Sequence, residues 1–234
     1  MPGKAQGSDN YLFLLGGDPS QKAAAEAFVA KAGGVDARLV LMLLNKHGWQ
    51  DYLRFYVDNW LELGVKDYKV IIPDDNDVMD YDIVTADLRN ATGVFIGGGD
   101  TLRYHYYYAT EPIKSVLTNC YENGVPIAGC SAGALILPEL FLVSPNDTGD
   151  EQVVIGDGVG LISNQVIGVH FSEWDDTDNL IEGMVRTKTR LGWGIDEKAC
   201  AVFRNGKFNY ALGNSVHMIQ MEDFINRKYK VTKF

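Results

Sequence analysis

The sequence predicts an α/β protein built on a mainly parallel sheet with helices on both faces. Three observations predict it. Apolar runs of strand length alternate with segments of helical spacing. Several of those runs empty into glycine-rich turns, as parallel strands do at their carboxyl ends. One of them, Val125 to Ala128, leads into Gly129-Cys130-Ser131-Ala132-Gly133, the Gly-x-Ser-x-Gly frame of a nucleophile elbow that opens a helix.

A chain of 234 residues with 46% hydrophobic content can bury one substantial core. The reading is a single α/β domain over residues 11–234, preceded by a polar, flexible tail over residues 1–10. A net charge of −10 disfavours nucleic acid and anionic membranes as partners. Cys120, Cys130 and Cys200 form neither an even framework nor a Cys-x-x-Cys pair, which points to a reducing compartment. Runs such as Leu39 to Leu44 are too short to span a bilayer, and the first ten residues lack the apolar segment of a signal peptide. These features imply a cytoplasmic protein; a monomer or homodimer is expected.

Tyr11 to Leu15 reads as a buried strand ending at Gly16-Gly17. Asp18-Pro19-Ser20-Gln21 supplies a helix cap, a proline at the first helical position and a capping-box glutamine for an Ala-rich helix that ends at Gly33-Gly34. Arg38 to Leu44 is a second strand. Gln50 to Leu63 carries Tyr52, Phe55, Tyr56, Trp60 and Leu63 at helical spacing, a stripe that reads as core. Tyr68 to Ile72 is a third strand. The acidic Asp74 to Asp77 lacks the glycine and terminal glutamate of a calcium loop, so it reads as a solvated turn before a helix from Met79 to Arg89. No metal ligand set or cofactor is expected.

Gly93 to Ile96 is a fourth strand, followed by Gly97-Gly98-Gly99-Asp100-Thr101. Without the lysine of a P-loop, this glycine run fits half of an oxyanion hole, with an N–H of Gly98 or Gly99 acting beside that of Ala132. Asp100 and Thr101 either cap the next helix or contact substrate. Beyond Leu140 lie an acidic loop and short strands over Gln152 to Ile155 and Asn164 to Val169. A helix with Leu180, Ile181, Met184 and Leu191 on one face follows, then a strand from Trp193 to Asp196. Asn205-Gly206 marks a hairpin, and Ser215 to Gln220 is expected to close the sheet.

A serine nucleophile needs a base within hydrogen-bond reach and an acid to orient that base. Among four histidines, His170 stands out because it ends an apolar strand and precedes Phe171-Ser172. Cys130, a rival nucleophile, lacks glycines two residues to either side and reads as a packing residue.

Gly97-Gly98-Gly99-Asp100-Thr101, Gly129-Cys130-Ser131-Ala132-Gly133-Ala134 and His170-Phe171-Ser172, in that order, resemble the S51 serine peptidases, which include aspartyl dipeptidase (peptidase E) and cyanophycinase. The resemblance implies a flavodoxin-like three-layer α/β/α fold, similar to the class I glutamine amidotransferases, and a Ser-His-acid triad for amide hydrolysis in small peptides. It carries Ser131 as nucleophile and His170 as base. The acid, by the family's pattern, comes from the loop after the elbow helix, which offers Asp147, Asp150 and Glu151, with Asp147 fitting the spacing best. Glu197, in the family-like Gly194-Ile195-Asp196-Glu197, is the rival. Where the family's aspartate-cleaving members carry arginines after the His-Phe-Ser block, this chain has Trp174, Asp176 and Asn179. Trp174 and Asp176 are therefore expected to line a pocket that favours a neutral or cationic group. The competing readings are a non-catalytic binding or regulatory protein on the same scaffold, and a serine esterase or amidase of small molecules.

Overall fold

The computed structural model describes residues 9–149 and 151–234. Most of the expected N-terminal tail, and Asp150 among the candidate acids, lie outside the described residues. Asp9 and Asn10 are anchored rather than loose: the Asn10 amide donates to Asn205 Oδ1 at 2.9 Å, and Asn205 donates to the Asp9 carboxylate at 2.8 Å.

The first half alternates strand and helix: β1 (Tyr11–Leu15), α1 (Lys22–Ala32), β2 (Arg38–Met42), α2 (Trp49–Glu62), β3 (Asp67–Ile71), α3 (Tyr81–Asn90), β4 (Gly93–Ile96), α4 (Thr101–Tyr108), α5 (Ile113–Glu122) and β5 (Ile127–Cys130). A short helix α6 (Ala132–Leu135) leaves the elbow, then β6 (Leu140–Val143), α7 (Pro145–Thr148), β7 (Val154–Asp157), β8 (Gln165–Val169), α8 (Thr177–Thr187) and β9 (Leu191–Ile195). The chain finishes with β10 (Ala199–Arg204), β11 (Lys207–Gly213), β12 (Val216–Asp223) and β13 (Lys228–Lys233).

The main sheet has the order β11-β10-β1-β5-β4-β2-β3. Its five strands from β1 to β3 are parallel, and β10 and β11 extend it antiparallel. Successive side chains on a strand face opposite ways, so a continuous apolar run feeds two cores. Leu12, Leu14, Val40, Met42, Val94 and Ile96 pack toward α3, α4 and α5. Phe13, Leu15, Leu39, Leu41 and Phe95 pack toward α1 and α2. This is the three-layer α/β/α arrangement with a mainly parallel sheet that the sequence predicts.

Two local readings are corrected. Helix α1 is capped by the Gln21 side chain, which accepts from the Ala24 amide, while Asp18 turns back to accept from Ser20 N–H and Oγ. The C-terminal strand does not close the main sheet. It is β12, at the centre of a second sheet ordered β13-β12-β9-β8, whose inner face packs with α8 through Leu180, Ile181, Met184, Ile219 and Met221. Strand β13 carries no burial pattern to read, because all six of its residues are exposed; its backbone ladder to β12 and an ion pair between Lys230 and Glu222 hold it. The acidic Asp74 to Asp77 segment is a turn, as expected, with Asp74 Oδ1 accepting from the amides of Asn76 and Val78. Among the described residues no helix is long and apolar enough to cross a membrane.

What this topology does for function is to gather strand ends. β1, β4 and β5 end side by side, and the second sheet brings the ends of β8 and β9 to the same edge. The His170 amide donates to Gly16 O at 3.0 Å, and the Phe171 amide donates to Ile195 O at 3.2 Å. Ligands of open parallel sheets bind beyond such carboxyl ends.

Candidate active site

The elbow is built by close approach. A Cβ at Gly129 would stand 2.4 Å from Gly133 O, and one at Gly133 would stand 2.3 Å from Ile96 O and 2.6 Å from Gly97 O. Only glycine lets strand, turn and helix come this near. The Gly133 amide also donates to Gly97 O at 3.0 Å, which ties the elbow to the glycine loop after β4. Between the two glycines Ser131 holds φ 51° and ψ −116°, a conformation that non-glycine residues avoid and that clusters at functional sites. Its hydroxyl therefore projects from the sheet edge instead of following the strand.

The Ser131 hydroxyl meets an imidazole. Ser131 Oγ lies 3.0 Å from His170 Nε2, and His170 Nδ1 lies 2.9 Å from Glu197 Oε1. The imidazole is mostly shielded, whereas the Glu197 side chain is 45% exposed. Trp174 stacks on the imidazole, ring centroids 4.3 Å apart and planes within 21°. The turn carrying His170 and the turn carrying Glu197 are cross-braced: Asp196 accepts from the Ser172 amide at 3.1 Å and pairs with His217 Nε2 at 3.2 Å. Of the other two histidines, His105 is engaged by Asp157 O, and His47 is exposed away from these contacts.

The other candidate acid lies near the imidazole without bonding to it. Asp147 makes no hydrogen bond to His170; its Oδ2 accepts from the buried Thr101 Oγ1 at 2.9 Å. Desolvation of that carboxyl raises its pKa, with the Thr101 hydrogen bond opposing the shift. Of the two residues weighed from sequence, Glu197 is thus the one brought onto His170. Thr101 serves Asp147, and Asp100 caps α4 by accepting from the Arg103 amide at 2.9 Å.

The three candidate oxyanion donors differ in their partners. The amides of Gly99 and Ala132 have no hydrogen-bond partner among the described residues. The Gly98 amide, by contrast, donates to Tyr56 Oη at 3.1 Å, while Tyr104 Oη donates to Gly98 O at 3.2 Å. Burial pushes the pKa of both phenols up, so they stay protonated and hold the Gly98 peptide from both sides. Sequence periodicity marked Tyr56 as core but carried no sign of this clamp.

Cys130 is 1% exposed and burial pushes its thiol far up, so it supplies no thiolate. Asp176 does not line the Ser131 cleft. It is 4% exposed and its carboxylate is taken up by Ser144, Asn146 and Asn179. The expectation of an acidic specificity pocket after His170 is corrected accordingly: a buried carboxylate is satisfied by local donors, here bracing the turn that precedes α8. Of that segment Trp174 touches the imidazole, and the Glu173 carboxylate accepts from the Glu197 amide at 3.1 Å. Among the described residues, no group of three or more His, Cys, Asp or Glu is gathered to hold a metal ion.

Ser131 and His170 form the floor of a cleft of about 600 Å³ that also exposes Gly17, Gly98, Gly99 and Asp100. Its wall is the start of α2, with Trp49, Tyr52, Phe55 and Tyr56. The aromatic stripe is core only in part. Trp60 and Tyr56 are buried, but Tyr52 is 56% exposed and Phe55 40%.

The chain has known relatives. The family model described as Peptidase family S51 matches residues 27–211. The cyanophycinase of Synechococcus elongatus is 27% identical over 207 residues, covering 86% of this chain and 64% of that protein. The cyanophycinase of Trichormus variabilis is 28% identical over 162 residues, covering 68% of this chain and 54% of that protein. The chain thus spans less than two thirds of the length of these curated relatives. Among solved structures, a peptidase from an acI-B1 Actinobacterium superposes with a TM-score of 0.65 at 17% identity, over 90% of this chain and 87% of that one. A putative peptidase E from Listeria monocytogenes EGD-e gives 0.61 at 14% identity, over 88% of this chain and all of that one. At these identities the two structures share the fold.

Proposed function

The chain belongs to peptidase family S51, and on that premise we propose that it is a serine peptidase cleaving amide bonds in small peptides or isopeptides. Ser131 is the nucleophile, His170 the general base, and Glu197 the acid that holds the imidazole. The observation that carries this reading is the unbroken series from Ser131 Oγ through His170 to Glu197 Oε1, with steps of 3.0 and 2.9 Å.

The chemistry follows from those positions. As Ser131 Oγ attacks the scissile carbonyl, Nε2 takes its proton, and the carboxylate at Nδ1 fixes the tautomer and stabilises the imidazolium. The carbonyl oxygen becomes an oxyanion facing the unpaired amides of Gly99 and Ala132, donors that need no reorganisation when charge develops. His170 returns the proton to the leaving amine, leaving an acyl-serine. Water, deprotonated by His170, then releases the acid and restores Ser131. The strained Ser131 backbone keeps Oγ in the attack position in the resting protein.

Hydrolysis of short peptides by the wild type and by Ser131→Ala tests the proposal. The expected loss is about 10⁴-fold or more, with an unchanged thermal midpoint because the hydroxyl packs against little. Equal hydrolysis by the two proteins would remove Ser131 from the mechanism.

A further inference from the structure

The wall of the cleft is unusual for a surface helix. Trp49, Tyr52 and Phe55 sit on the first turns of α2, and Tyr52 and Phe55 lean together with ring centroids 6.3 Å apart. Exposed aromatic surface of this kind is unfavourable in water unless something covers it, and here it faces the nucleophile. Two cations line the same cleft. Arg103 is already paired with Asp77 at 2.6 Å, while the Lys46 ammonium has no ion-pair partner among the described residues. Asp100 adds negative charge near the nucleophile.

The wall is in register with Ser131. Its inner end is Tyr56, whose hydroxyl accepts the Gly98 amide, and a Cβ on Gly98 would stand 3.7 Å from Ser131 Oγ. From Tyr56 back to Trp49 the helix axis runs roughly 10 Å at about 1.5 Å per residue. An extended peptide advances roughly 3.3–3.6 Å per residue. About three residues therefore separate the reacting carbonyl from the Lys46 end of the wall.

We infer that this cleft selects short peptides with an aromatic or large apolar side chain on the amine side of the scissile bond and a free C-terminal carboxylate one or two residues further on. The side chain lies against Tyr52 and Phe55, and the carboxylate reaches Lys46. An aspartyl side chain against Tyr52 and Phe55 would leave their apolar surface uncovered and would share the cleft with the like charge of Asp100. The inference rests on the peptidase reading for the direction of the chain in the cleft.

The test uses Ala-Xaa-Ala peptides with Phe, Ala or Asp at the central position, as free acids and as C-terminal amides. Binding to Ser131→Ala is measured by calorimetry, and kcat/KM by hydrolysis with the serine intact. The Phe peptide is expected to bind at least about tenfold more tightly than the Ala and Asp peptides. Tyr52→Ala combined with Phe55→Ala should erase that preference; both side chains are exposed, and the thermal midpoint reports that the fold is kept. Amidation of the carboxylate should weaken binding by about two- to fivefold, and Lys46→Gln should make acid and amide equal. A preference for Asp, an aromatic preference that survives the double substitution, or no binding by any peptide overturns the inference. Because binding to Ser131→Ala needs no turnover, an intact aromatic preference without hydrolysis would count against the peptidase reading alone.

Discussion

Gly17 and His170 compete for one volume. A Cβ at residue 17 would lie 2.3 Å from His170 Cε1 and 2.5 Å from Nδ1, and 3.0 Å from Glu197 Cγ. The glycine that ends β1 is therefore the surface against which the imidazole and its carboxylate rest. With Trp174 stacked on the ring, the imidazole has little freedom to leave the line between Ser131 and Glu197.

Gly17→Ala is accordingly expected to push the imidazole out of reach of Ser131 while leaving the β1 ladder intact. Displacement of a catalytic group by about 1 Å can cost about 10²-fold. The expected outcome is a fall of that size in kcat, with KM little changed and the thermal midpoint within a few degrees. Unaltered kcat would show that the ring is not held by this contact.

The two candidate acids separate cleanly by isosteric substitution. Glu197→Gln removes the charge and presents an amide to Nδ1, which no longer fixes the tautomer that the base needs. A loss of about 10³-fold in kcat is expected by comparison with removal of a triad acid. Asp147→Asn keeps an acceptor for Thr101 and does not touch the imidazole, so kcat should stay within about threefold of wild type. The opposite pattern in steady-state kinetics would move the orienting role to Asp147.

Much of this architecture is legible in the sequence because the parallel strands are continuous apolar runs ending in glycines, a pattern that only a doubly covered sheet requires. The elbow is legible for a similar local reason, since Gly129 and Gly133 are needed within a few residues of Ser131. The identity of the orienting carboxylate is not local. Glu197 reaches His170 because β8 and β9 pair in parallel and end beside β1, a juxtaposition that spacing along the chain does not encode. The periodicity of α2 shows which residues share a face but not where the cover over that face stops. Tyr56 and Trp60 lie under the sheet's layer while Tyr52 and Phe55 run past it into the cleft. Strand β13 alternates Lys228 and Lys230 with Tyr229 and Val231, but the alternation is short and both faces are exposed, so its place is set by the ladder to β12 and not by burial.

The most direct measurement is covalent labelling with a fluorophosphonate, followed by intact mass and peptide mapping. An activated serine attacks the phosphorus and keeps the phosphonyl group as fluoride leaves. Wild-type protein should gain one adduct, mapped to Ser131, and Ser131→Ala should gain none under the same conditions. No adduct on the wild type, or an adduct mapped to any residue other than Ser131, would contradict Ser131 as the activated nucleophile.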